Sequence, residues 1–160
     1  MIVTFYFFIS WLLLVLFIFN RIQKQATINE ITLLLLLSCL VNTHTYAGLF
    51  DTLKFMKFST DIPHFIALLL FKNIFVPLLI TCFTLLIDRN KRKIRFFSLF
   101  ILIILLMDSI NVISGMYTYK QWNLFCTFIY YSILLFLLLF TLKWFRKLDK
   151  ISGGENRAVD

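Results

Sequence analysis

Glycine occurs four times and proline twice in these 160 residues. So few chain-breakers exclude a succession of short strands joined by tight turns and leave long helices as the building unit. Cysteine is scarce too. Cys39, Cys82 and Cys126 stand apart in apolar runs with no CxxC pair, so the reading is three buried thiols, no disulfide and no metal site. Acids number eight against sixteen Lys and Arg. There is no HExxH, no Gly-rich phosphate loop and no GxSxG. The expectation is a protein that is not an enzyme and holds no cofactor.

What the chain has in quantity is hydrocarbon. It is 61% hydrophobic, with twenty Phe, and its mean hydropathy is +0.89. Several apolar runs approach the ~20 residues needed to cross ~30 Å of lipid, more than a soluble domain of this length could bury. The composition predicts an all-α polytopic membrane protein, a single five-helix bundle over residues 1–150. Its spans are expected near Ile2–Phe19, Ile31–Phe50, Pro63–Ile87, Phe96–Tyr117 and Asn123–Leu142, and residues 151–160 read as a flexible tail. Ile2–Phe19 reads as a span and not a signal peptide, for it is long, lacks a basic leader and is not followed by a small-x-small site.

The charges crowd at the expected helix ends, which points to membrane topology and away from nucleic acid. Arg21 and Lys24 follow span one; Arg89, Lys91, Arg92, Lys93 and Arg95 follow span three; Lys143, Arg146, Lys147 and Lys150 follow span five. Lys54 and Lys57 follow span two, and Lys120 alone follows span four. The positive-inside rule then puts the N-terminus outside and the C-terminus inside a bacterial cytoplasmic membrane. Ser59-Thr60-Asp61 before Pro63 is a helix start. Phe50 to Phe58 mixes aromatics with lysines and is expected to lie along the outer interface. Trp122 and Trp144 bracket span five as an aromatic belt would. No internal repeat is present.

Polar side chains inside the spans fall in one half. Leu12–Phe19, Leu33–Leu37, Ile101–Leu106 and Leu134–Phe140 contain none. The other half holds Asn42, Thr43, His44 and Thr45 in span two, Lys72 and Asn73 in span three, Asp108 and Asn111 in span four, and Thr127, Tyr130 and Tyr131 in span five. Span one adds Thr4, Tyr6 and Ser10. A carboxylate at mid-helix costs roughly 2.5–3.5 kcal/mol on insertion scales, so Asp108 needs compensation. Lys72 is the one basic residue well inside a span; it is the expected partner, with outward snorkelling as the alternative. Asp108, Asn111 and Gly115 share one side at i, i+3, i+7. Pro77, about a turn after Lys72 and Asn73, frees a backbone carbonyl. His44 and His64 are the only histidines, and a haem between them is the weaker alternative to a hydrogen-bonded core role. The tyrosines and Trp122 read as interfacial.

Residues 94–142, with an acid late in span four (Asp108) and Tyr119-Lys120-Gln121-Trp122-Asn123 opening span five, resemble a family of small five-span membrane proteins of spore-forming Firmicutes. That family more usually has Glu at the acid and Gly before the Trp, where Asp108 and Gln121 stand here. The resemblance implies the five-span fold and no defined activity.

The expected function is binding of a small solute or a partner's segment in an outward-facing polar pocket of Asn42, His44, Lys72, Asn73, Asp108, Asn111, Thr127 and Tyr131. The alternatives are a subunit of an oligomeric transporter or channel, and an immunity or accessory protein bound to another membrane protein. Partners are the lipid bilayer and another membrane protein or a second copy.

Overall fold

The computed structural model describes residues 26–155, together with Leu16 and Asn20. The expected first span, Ile2–Phe19, with its Thr4, Tyr6 and Ser10, lies outside the described residues apart from Leu16, and so do residues 156–160. Thr27 opens α1 (Ile28–Ala47): its hydroxyl accepts from the Glu30 amide while the Glu30 carboxylate accepts from its own, a reciprocal capping box. A π-helical turn, Gly48–Thr52, extends α1 and leads to β1 (Met56–Phe58). Then come α2 (Ile62–Leu70), a second π-helical turn (Phe71–Phe75), α3 (Val76–Arg89), α4 (Lys93–Ile113), β2 (Tyr117–Tyr119) and α5 (Leu124–Glu155).

Among the described residues, four helical stretches are long and apolar enough to cross a membrane: Ile28–Phe50, His64–Arg89, Lys93–Ile113 and Leu124–Asp149. In His64–Arg89, which joins α2, the second π turn and α3, 56% of the apolar window is buried, against 28–33% in the other three. It is therefore the hub of the bundle. Leu34, Ile80, Leu85, Phe100, Leu135 and Leu138 fill the core between α1, α3, α4 and α5. Leu40, Leu102, Phe136 and Phe140 are exposed around it. An apolar exterior of this kind suits hydrocarbon, where helices satisfy nearly all of their own backbone groups.

One end of the bundle is closed by a ribbon. β1 and β2 pair antiparallel, Met56 with Tyr119, Lys57 with Thr118 and Phe58 with Tyr117. Beneath it lies a second, smaller apolar cluster that includes Leu49, Met56, Leu68 and Met116. The opposite end is basic and is tied by Arg146. Its Nε donates to Glu30 Oε1 at 2.5 Å and its Nη1 to Asp88 Oδ2, so one guanidinium of α5 holds the ends of α1 and α3.

Several boundaries differ from expectation. Phe50–Phe58 runs through the first π turn and β1, with Met56 buried under the ribbon. Span four stops at Ile113, not Tyr117, because Gly115 takes φ +74°. The Met116 amide then donates to the Asn111 carbonyl and the Gly115 amide to that of Val112, a Schellman ending. Gly115 is thus a helix terminator and not a member of the Asp108 face. The last helix runs past Leu142 to Glu155, so residues 151–155, expected in the tail, are helical, and residues 156–160 lie outside the described residues. Asp61 is the N-cap of α2, yet its carboxylate accepts from His64 Nδ1 at 2.6 Å and caps no amide.

Candidate functional site

The site is built around a backbone defect. In the second π turn the Val76 amide donates to the Phe71 carbonyl, one residue beyond its α-helical partner, the carbonyl of Lys72. Pro77, the next residue, has no N–H to offer. The Lys72 carbonyl is left for another donor, and Asn42 Nδ2 of α1 fills it at 2.6 Å. Asn42 Oδ1 accepts in turn from the Tyr130 hydroxyl at 3.3 Å. The carbonyl freed by Pro77 is therefore a docking point between helices.

The same turn aims the Lys72 side chain at Asp108. Both are buried, at 5% and 2% exposure, with Nζ 3.5 Å from Oδ1. The ammonium also donates to Tyr46 Oη at 2.5 Å and lies 3.9 Å from the centroid of that ring. Tyr46 Oη is 3.0 Å from the Tyr131 hydroxyl. Asp108 has further partners. Tyr117 donates to Oδ1, Tyr119 to Oδ2, and Thr127 Oγ1 to Oδ2 at 2.8 Å. Trp122 Nε1 donates to Thr127 Oγ1 at 2.8 Å, which leaves that hydroxyl's own proton for the carboxylate.

The ribbon explains the two phenols. Tyr117 and Tyr119 are two residues apart on β2, so they project from one face. The Gly115 turn folds β2 back so that this face meets Asp108. Burial, and next the neighbouring Asp108 charge, push both phenols above their ordinary pKa of 10.0, so they remain O–H donors. The carboxylate is saturated: four donors meet its roughly four lone-pair directions. Lys72 is not. Its three N–H groups have two hydrogen-bond partners among the described residues.

Beside Lys72 is an open cleft of about 380 Å³ between α1 and α2, with Tyr46 and Lys72 among its lining. Leu68 and Leu69 form an apolar wall, and Thr43 and Asn73 line it as well, joined by a 3.1 Å hydrogen bond from Thr43 Oγ1 to Asn73 Oδ1.

The structure thus brings together Asn42, Lys72, Asp108 and Thr127 directly, Tyr131 through Tyr46, and Asn73 at the cleft. It does not bring in His44, which is exposed and donates from Nδ1 to the Leu40 carbonyl of its own helix. Asn42 and His44 are two apart, and such positions do not share a helix face. His64 is likewise bonded locally, through Nδ1 to Asp61 at the start of α2. Asn111 is fully buried one turn beyond Asp108, but its side-chain amide has no hydrogen-bond partner among the described residues. Tyr46, Tyr117, Tyr119, Trp122 and Tyr130 were missed as site residues. The Tyr-Thr-Tyr alternation was the available signal for two of them. Comparisons with protein families, with curated proteins and with solved structures return no match.

Proposed function

We propose that this chain is a non-enzymatic integral membrane binding protein whose cleft takes a small solute, or a partner's segment, carrying an anionic or strongly hydrogen-bond-accepting group. The observation that carries the reading is that Lys72, beside an open cleft, has one N–H with no hydrogen-bond partner among the described residues, next to a carboxylate already saturated by four donors. A saturated carboxylate neither takes a cation nor picks up a proton without losing a bond, which argues against ion or proton handling. The ligand's acceptor would meet Lys72, and its apolar part would lie along Leu68 and Leu69. Kinship with the small five-span family belongs to the same proposal. It is supported by the way Trp122 and Asp108, the residues that carry the likeness, sit at two ends of one hydrogen-bonded chain through Thr127. The reading sets the protein in a bacterial cytoplasmic membrane with the ribbon end outward.

Native mass spectrometry of gently purified protein tests this. Leu69→Trp fills the cleft from its rim and leaves the Asp108 network untouched. A non-lipid mass bound to wild type and lost in Leu69→Trp is expected. If wild type carries membrane lipid alone, or both proteins carry the same mass, the cleft is not a binding site.

A further inference from the structure

A second cleft, of about 400 Å³, lies at the basic end, where α3 finishes, α4 begins and α5 passes. Its volume is within the ~300–1,000 Å³ typical of small-molecule sites. Its walls are aromatic: Phe97, Phe136 and Phe140 line it, with the Phe97 and Phe136 ring centroids 5.7 Å apart. Three charged side chains complete the lining: Asp88, Lys93 and Lys143. Asp88 is engaged by Arg146, so its charge is offset within the protein. Lys93 and Lys143 are exposed and leave the cleft with an excess of positive charge. The start of α4 adds to it. Arg92 occupies the N-cap without a side-chain cap and the first turn contains no acid, so the positive helix end is uncompensated. Arg89, Lys91, Arg92 and Arg95, in and beside the loop between α3 and α4, add further positive charge.

An apolar cleft open to hydrocarbon, with two lysines and a bare helix start beside it, has the chemistry of an amphiphile with a negative head. We propose that it binds one anionic glycerophospholipid, its phosphate held between Lys93, Lys143 and the first amides of α4 and an acyl chain laid along Phe97, Phe136 and Phe140. This site is independent of the Lys72 cleft, which lies toward the ribbon end.

The test uses the full chain reconstituted in nanodiscs of equimolar phosphatidylglycerol and phosphatidylcholine, then stripped stepwise with detergent and read by native mass spectrometry. Wild type should keep one phosphatidylglycerol after phosphatidylcholine has left. A basic residue near a membrane surface is worth about fivefold in affinity for anionic lipid, so Lys93→Gln with Lys143→Gln should weaken retention about thirtyfold. Lys91→Gln with Lys147→Gln, at the same end but outside the cleft, should retain the lipid. Phe140→Asp, at the exposed wall, should lose it through repulsion. Equal retention of the two lipids by wild type would overturn the proposal, as would an equal loss in the Lys91/Lys147 pair, the mark of diffuse charge. Melting temperatures of the two lysine pairs, expected unchanged because all four positions are exposed, separate lost binding from lost folding.

Discussion

Asp108 and Lys72 form an unequal pair. Without Lys72 the carboxylate keeps three hydroxyl donors, from Tyr117, Tyr119 and Thr127. Without Asp108 the ammonium keeps one tyrosine oxygen and the faces of its aromatic neighbours. Asp108→Asn should therefore destabilise more, toward the ~3–5 kcal/mol of a stranded buried charge. Lys72→Met should cost about 1.5–3 kcal/mol, the scale of one charge-assisted hydrogen bond. The double variant should recover part of the sum. Thermal unfolding of the four proteins in detergent closes the cycle, and strictly additive losses would show that the pair contributes nothing. This pairing was legible in the sequence, because a charge inside an apolar run has few places to find its partner. The tyrosines were not legible, since a phenol near a helix end suits the membrane interface equally well. His44 was misread for a different reason: α1 is apolar on every side, so no stripe tells which face turns inward.

At the scale of elements, the apolar helices were readable from run length alone, and their starts from proline and charge. The two π turns and the three-residue strands were not, because neither leaves a periodic trace over so few residues. Gly115 was read by its spacing from Asp108 when its meaning was conformational. An added Cβ there would meet nothing within 4 Å, so the whole penalty of a side chain at φ +74° is backbone strain. Gly115→Ala should cost about 1–2 kcal/mol, read as a lower melting temperature in detergent, and Gly115→Asn should recover part of it because Asn tolerates this region better. No change in Gly115→Ala would mean that the helix does not end in a left-handed turn, and the placement of Tyr117 over Asp108 would lose its explanation.

The whole molecule has a basic end and a polar end. Lys54, Lys57 and Lys120 flank the ribbon, while Arg89 to Arg95 and Lys143 to Lys147 gather at the other pole with Arg146 at its centre. β1 and β2 pair directly, so the two loops that carry them share one side of any membrane the helices cross. The asymmetry of charge then predicts that the ribbon faces out. A cysteine at Asn90, in a cysteine-free background, should resist an impermeant reagent in intact cells and react after permeabilisation; labelling of intact cells would reverse the orientation. The order of residues around Asp108 also sets a schedule for biogenesis. Lys72 emerges from the ribosome first, the carboxylate thirty-six positions later, then the two phenols, and last Thr127 on the final helix. Each intermediate chain thus carries charges whose donors have yet to be translated. The network is completed only when the last hairpin has threaded, so a chain stalled after α4 would present Asp108 to quality control with Lys72 as its main counterion.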